Sequence, residues 1–131
     1  FVSFLDSDDF WYPNHLETHF RLLREGEADV AYSWFDGNDP FPAHRGRPWN
    51  PQDEHHITMT ITVRTELAKR VGFQPHPDAN PEWSGEDWYM IVGLNALGAK
   101  FVGTGDITWH YRVWTGNTSG VPGRGDSAVR R

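Results

Sequence analysis

Hydrophobic residues recur along the chain with a spacing that changes from strand-like to helix-like and back. Phe1–Leu5 is an apolar run that ends at four polar positions, which predicts a central strand running into a loop. Between Pro13 and Glu25 apolar residues return at helical spacing before Gly26 offers a stop, namely at Leu16, Phe20 and Leu23. Residues 28–35 predict the next strand, so the three segments together indicate a βαβ unit.

The second half of the chain continues the alternation of elements. Residues 57–63 alternate Ile and Met with Thr, which predicts a strand with one solvent-facing side. Residues 64–71 predict a short helix, and residues 85–98 a longer one that opens on acidic residues, as the helix dipole favours. Its broad apolar face comprises Trp88, Ile91, Val92, Leu94 and Leu97. Residues 100–102 and 107–113 predict two further short strands.

The segments between these elements are rich in proline and glycine. Residues 36–54 and 74–84 predict two long surface loops, and residues 115–131 form a Gly/Ser/Arg-rich tail without a core-forming pattern. We therefore expect one α/β domain over residues 1–114 and a flexible tail over 115–131. The sequence starts without Met inside a predicted strand, so we expect it to be part of a longer protein.

Composition narrows the classes of function. Among 131 residues, 37% are hydrophobic, enough for a core, and the net charge of −6 argues against a nucleic-acid partner. A diphosphate ligand would need a cation or a local Arg or Lys. The absence of cysteine excludes thiolate metal sites and disulfides. No apolar run approaches the roughly 18 residues of a membrane span, and we expect a cytoplasmic protein that could meet a membrane surface through regions outside this segment.

Three carboxylates crowd the end of the first predicted strand, at Asp6, Asp8 and Asp9. Such acids repel one another unless a cation or hydrogen-bond donors accompany them, and carboxylate oxygens favour hard ions such as Mg²⁺ or Mn²⁺. The alternative is an acidic cap for the following helix, and charge pattern alone does not decide between the two. Ligands of open α/β sheets bind beyond the carboxyl ends of strands, which favours the metal site.

Three segments in order resemble motifs of the family 2 glycosyltransferases. They are FLDSDD at 4–9 with Pro13 and Leu16-Glu17, GEDW at 85–88, and WHYR at 109–112 with Gly116, Asn117 and Ser119. In that family the first stretch carries the DXD motif of the GT-A fold, and the second resembles its ED motif. The resemblance implies a partial GT-A fold, a mixed sheet flanked by helices, that begins at the DXD strand and lacks the upstream nucleotide-binding strand-helix units.

The resemblance also implies which residues would bind the nucleotide sugar and its metal. Asp8 would bind a divalent metal, Mn²⁺ or Mg²⁺, and Asp6 would lie near the ribose or reach the metal through water. Asp9 would either join them or anchor the loop. His110 matches a position that supplies a third metal ligand in some GT-A enzymes, and Arg112 would contact the diphosphate. The alternatives are a packed histidine and a salt bridge from Arg112 to a loop acid.

On the acceptor side, the resemblance makes Asp87 the general base, because an attacking hydroxyl must lose its proton to a positioned group. Glu86 would hold the acceptor or orient Asp87. Ordinary helix capping explains the same two acids without the family match. Trp83 and Trp88 flank the predicted base and are candidate acceptor contacts, since indole faces stack on sugar rings, although many of the seven Trp must fill core.

Together these roles predict a glycosyltransferase that moves a sugar from UDP or another nucleoside diphosphate to a carbohydrate or other hydroxyl acceptor. The family resemblance, rather than the residues themselves, implies that the transfer proceeds with inversion. Without the upstream units, we expect the isolated chain to be weakly active or inactive. A non-catalytic carbohydrate-binding domain is the alternative from another class. A metal-dependent nucleotidyltransferase ranks last, because it should lack the segments at Glu86-Asp87 and 110–112.

Overall fold

The computed structural model describes residues 1–37, 58–74 and 86–112. The elements in chain order are β1 (Val2–Ser3), β2 (Phe10–Trp11), α1 (His15–Arg24), β3 (Val30–Gly37), a 3₁₀ turn (Thr58–Thr60), β4 (Ile61–Val63), α2 (Thr65–Val71), α3 (Glu86–Ala96) and β5 (Phe101–Tyr111). Most of both Pro-rich loops, Trp83 and the predicted tail lie outside the described residues.

The strands form one mixed sheet in the order β1-β4-β3-β5-β2. β3 and β5 are parallel, and the other three neighbouring pairs are antiparallel. The predicted α/β class with a mixed sheet and flanking helices is confirmed. The two strands of the predicted βαβ unit, β1 and β3, run in the same direction but are not neighbours, because β4 lies between them and pairs antiparallel with both.

The predicted central strand at Phe1–Leu5 is also shorter and more peripheral than expected. Only Val2 and Ser3 pair, and β1 is an end member of the sheet among the described strands. Beyond it, Phe4 turns to pack on the main core and, edge-to-face, on Phe73, with ring centroids 5.3 Å apart. Leu5 is exposed. The apolar run therefore reflects the packing of Phe4, just after the strand, rather than a long buried strand.

Helices cover both faces of the sheet. The main core joins Val30, Ile61 and Val63 of the sheet to α2 and to Met90, Ile91 and Leu94 of α3. The next residue along β3, Ala31, packs instead with Leu22 and Leu23 of α1. Because successive strand residues point to opposite faces, α1 lies on one face and the pair α2–α3 on the other.

The predicted solvent-facing side of the strand at 57–63 does not exist. Residues 58–60 form a 3₁₀ turn, β4 covers only 61–63, and all six residues are buried. Thr62 is fully buried, with its hydroxyl 2.7 Å from both the Ser3 hydroxyl and Nδ1 of His19. Thr62 faces α1 rather than water, so its hydroxyl serves an interior network.

The helix predicted at 13–25 is confirmed as α1, and Leu23 of its predicted apolar face is buried, but the rest of the buried face differs. His15 and His19 are 1% and 0% exposed, whereas Leu16, expected in the core, is 37% exposed. Nδ1 of His15 lies 2.7 Å from the hydroxyl of Thr108, and the two imidazole rings are 4.3 Å apart. The interface between α1 and the sheet thus contains a polar layer of paired imidazoles and hydroxyls.

The last two predicted strands are one. β5 runs without interruption from Phe101 to Tyr111, and its register against β3 shifts on either side of Trp34. Gly105, at φ 79°, lies within the irregular stretch. The helix predicted at 85–98 is confirmed as α3, although Val92 and Leu97 of its predicted face are exposed. Within residues 1–37, 58–74 and 86–112, no helix is long and apolar enough to cross a membrane.

The buried histidines make the stability of the fold depend on pH. Burial lowers the pKa of His15 to about 4, while burial and the charge of His15 lower that of His19 to about 3. Both folded values lie below the unfolded value, so the unfolded state binds more protons, and stability is lost as the pH falls below about 6.5.

Between pH 7 and pH 5 we expect protonation of the two histidines to lower the free energy of unfolding by roughly 3 kcal/mol, measured by urea denaturation of the full chain, and we expect the raised pKa of Asp9 to offset part of this fall. His15→Gln combined with His19→Gln should flatten this dependence. Equal unfolding free energies at the two pH values in the unmodified chain would contradict the expectation.

Candidate functional site

The acidic loop at 6–9 is folded back onto the far end of β5 by a short strand pairing. Phe10 pairs with His110, and Trp11 with Trp109, in antiparallel register. The apolar partners of the pairing are largely interior, since Trp109 is fully buried and Trp11 packs on it within the same cluster. The pairing therefore brings the first and the last predicted motifs together.

Two backbone contacts close the loop. The Tyr12 N–H donates to the Thr108 carbonyl at 2.8 Å, which extends the pairing past β2. The Asp9 N–H donates to the Asp6 carbonyl at 3.3 Å, which forms a turn across the acids. Asp8 and Asp9 are partly buried and Asp6 is exposed. The predicted metal ligands thus lie on an ordered turn whose carboxylates differ in their access to water.

Asp9 anchors this turn to the sheet. Its Oδ1 accepts the backbone N–H of Arg112 at 2.8 Å. Burial raises the pKa of Asp9 to about 6; the Arg112 N–H opposes this, the neighbouring charges of Asp8 and Asp6 add to it, and His110 opposes it. The site therefore concentrates negative charge that a bound cation would relieve.

A second link joins the turn to α3 through the 3₁₀ turn. The backbone N–H of Asp6 contacts Sδ of Met59 at 2.9 Å, and the hydroxyl of the preceding Thr58 donates to Oδ1 of Asp87 at 2.5 Å. Two consecutive residues therefore contact the predicted metal loop and the predicted base. Sequence reasoning missed both, because their Ile/Met–Thr alternation is typical of a strand.

His110 is held between two neighbouring strands. Its Nδ1 lies 2.9 Å from Oδ1 of Asp36, which pairs with it in the β3–β5 register. The Tyr12 hydroxyl donates to the same oxygen at 2.6 Å. On the other side Phe10 stacks on the imidazole, with centroids 4.8 Å apart and planes 18° apart. Neither Asp36 nor Tyr12 was identified as a site residue from the sequence. Asp36 lies at the start of a predicted loop, and no motif includes Tyr12.

The remaining predicted site residues are less closely gathered. Arg112 contributes its backbone N–H to Asp9, and it is exposed. Trp88 is partly buried and packs on the main core. Glu86 is the first residue of α3, and its side chain, like all of Trp83, falls outside the described part of the chain. The predicted acceptor contacts stay predictions.

Residues 1–83, more than half of the chain, match the protein-family model for glycosyl transferase family 2. The chain belongs to glycosyl transferase family 2. The match covers the acidic loop, α1 and the 3₁₀ turn.

The chain is also similar to one further protein in sequence and to another in fold. The succinoglycan biosynthesis protein ExoW of Rhizobium meliloti (strain 1021) is 41% identical over 46 residues, which are 35% of this chain and 14% of ExoW. The crystal structure of S. aureus TarS 1-349 with UDP-GlcNAc superposes on 88% of this chain with a TM-score of 0.59 and 18% identity. The complex of TarS with UDP gives 86% coverage, a TM-score of 0.57 and 17% identity. The chain spans 35% of the TarS chain in both comparisons, so the likeness concerns the fold of a part.

The donor atoms of this family 2 chain suit an open cation site rather than a closed cage. Within the described ranges no three acidic or histidine side chains gather around one point. Mg²⁺ and similar hard ions often take only one or two carboxylates and complete their shell with water and substrate phosphates. Asp8 and Asp6 could supply such oxygens. The pKa of Asp9 is raised chiefly by burial, and the charges of Asp8 and Asp6 contribute less. These residues could therefore hold a cation only if water or substrate oxygens complete its coordination.

The ionisation of Asp9 can be measured directly. We expect a ¹³C NMR titration of its carboxyl group in the metal-free protein to give a pKa of about 6. Asp8→Asn should lower this value by removing a repelling charge, but not to the ordinary range, because burial is the larger cause. A pKa near 4 in the unmodified protein would contradict the partly buried placement. Since the folded pKa is raised, protonation of Asp9 adds stability below about pH 6, opposite in sign to the two histidines.

Proposed function

We propose that this chain is the part of a metal-dependent glycosyltransferase that holds the sugar diphosphate and activates the acceptor. The observation that carries the proposal is the convergence of three distant segments, in which β5 and the 3₁₀ turn fix the acidic loop and the same turn bonds Asp87. Membership of glycosyl transferase family 2 supports glycosyl transfer. The TarS complexes with UDP-GlcNAc and UDP support a nucleoside-diphosphate sugar as donor.

On the donor side, Asp8 would hold Mn²⁺ or Mg²⁺, Asp6 would reach the ion through water, and His110 would approach it as a further ligand. When bound, the cation stabilises the charge that develops on the departing diphosphate. Arg112 is exposed at the end of β5, next to Asp9, where its guanidinium contacts the diphosphate. A local cation of this kind suits a chain with a net charge of −6.

On the acceptor side, Asp87 accepts the proton of the attacking hydroxyl. The hydroxyl oxygen bonds to the anomeric carbon as the bond from that carbon to the diphosphate oxygen breaks, which inverts the configuration. Thr58 orients the Asp87 carboxylate through its hydrogen bond to Oδ1. Glu86, Trp83 and Trp88 hold the acceptor in reach of the base.

The roles of the two acids separate experimentally in the full-length protein. Asp87→Asn should lower kcat by about 100-fold or more while nucleotide binding is unchanged, because it removes the base alone. Asp8→Asn should weaken the Mn²⁺-dependent binding of UDP, followed by tryptophan fluorescence. Asp106→Asn, at an exposed acid on β5, is the matched control and should change neither.

Full transfer activity in both Asp8→Asn and Asp87→Asn would overturn the proposed roles. Metal-independent sugar binding without transfer in the unmodified protein would instead identify a carbohydrate-binding domain.

A further inference from the structure

We propose that Asp36 is a positioning residue that fixes the orientation and the tautomer of His110. Nε2 of His110 then carries the lone pair and is available to a cation held by the acidic loop. The use of that lone pair rests on the proposed function, whereas the tautomer itself does not.

The geometry holds the imidazole from two sides. Asp36 and His110 are partners in the parallel pairing of β3 with β5, and Oδ1 of Asp36 lies 2.9 Å from Nδ1. Phe10, on the neighbouring strand β2, stacks on the ring with the two ring centroids 4.8 Å apart. Three strands in a row therefore contribute to the placement of one side chain, with the hydrogen bond setting the rotation of the ring.

The chemistry of the contact determines which nitrogen carries the proton. The Tyr12 hydroxyl donates to the same Oδ1 at 2.6 Å, and an ionised carboxylate only accepts hydrogen bonds. Nδ1 of His110 must then be the donor. A neutral imidazole has one N–H, so the lone pair resides on Nε2.

Most metal-binding histidines have this arrangement. Histidine ligands usually donate the N–H of the other ring nitrogen to a carboxylate, which fixes the tautomer and raises the basicity of the ligating nitrogen. His110 lies beside the acidic loop, because its strand partner Phe10 directly follows Asp9 in the chain and the Arg112 N–H donates to Asp9. Asp36 thus prepares His110 to face a cation held by the loop, without needing to contact that cation.

The first test reads the tautomer and needs neither metal nor activity. In the full chain labelled with ¹⁵N-histidine, long-range ¹H–¹⁵N NMR spectra at pH 8.5 report which nitrogen of each ring is protonated, and His110→Gln assigns the signal. We expect His110 as the Nδ1–H form in the unmodified protein and in Tyr12→Phe, which removes the other donor to Oδ1. Asp36→Ala should shift the ring toward the Nε2–H form. An Nε2–H ring in the unmodified protein would overturn the proposal and requires no variant.

The second test measures the consequence for the cation. Mn²⁺ titrations in the presence of UDP, followed by water-proton relaxation, should show an affinity about 10-fold or more weaker in Asp36→Ala and within about 2-fold of the unmodified value in Tyr12→Phe. Asp36→Asn, which keeps the shape and loses the charge, should fall between them. Equal Mn²⁺ affinity in all three variants would overturn the positioning role. Failure of the proposed function is seen separately, as full transfer in Asp8→Asn and Asp87→Asn while His110 remains in the Nδ1–H form.

Discussion

The antiparallel pairing of Phe10–Trp11 with Trp109–His110 is the constraint on which the candidate site depends. It spans only two residues on the β2 side, but it joins segments about a hundred residues apart. Closing so long a loop has a substantial entropic cost, which local hydrogen bonds alone would not offset. The buried Trp109, packed with Phe35 and Met59 and flanked by Trp11, supplies the apolar contact that does. Without this closure the acidic residues would simply follow the short strand β1, and nothing would hold them beside β5.

Once the loop is closed, the rest of the site follows from neighbours in the sheet. β3 lies beside β5, so Asp36 meets His110, and β4 continues from a 3₁₀ turn that meets both Asp6 and Asp87. The polar layer under α1 belongs to the same organisation, because Thr108 bonds His15 with its hydroxyl while its carbonyl accepts the Tyr12 N–H. The same few residues of β5 therefore support the helix packing and the functional edge.

Sequence reasoning recovered what depends on local pattern. The α1 and α3 helices, the α/β class and the pairing of ordered motifs with a glycosyltransferase family follow from spacing and from short stretches such as FLDSDD at 4–9. The errors arose where tertiary context decides. Thr62 reads as solvent-facing because nothing local reveals that α1 covers it, and β1 reads as central because its apolar run does not show where pairing stops.

The supporting residues of the site could not be found from the sequence for the same reason. Asp36 and His110 are 74 positions apart, and Thr58 and Asp87 are 29 apart. A threonine in a β-like stretch and an aspartate at the start of a Pro-rich loop carry no local signal of such contacts. Only the sheet order places them, and the βαβ pattern does not specify the sheet order.

The most direct test of the closed loop is amide hydrogen exchange at two positions of the full-length protein. The Tyr12 and Arg112 amides donate to the Thr108 carbonyl and to Asp9, respectively. If β2 and β5 close the acidic loop as described, both amides exchange at least about 100-fold more slowly than in an unstructured chain, and Asp9→Ala releases Arg112 while Tyr12 stays protected. Exchange of both amides at the unstructured rate in the unmodified protein would contradict the closure and, with it, the assembly of the site.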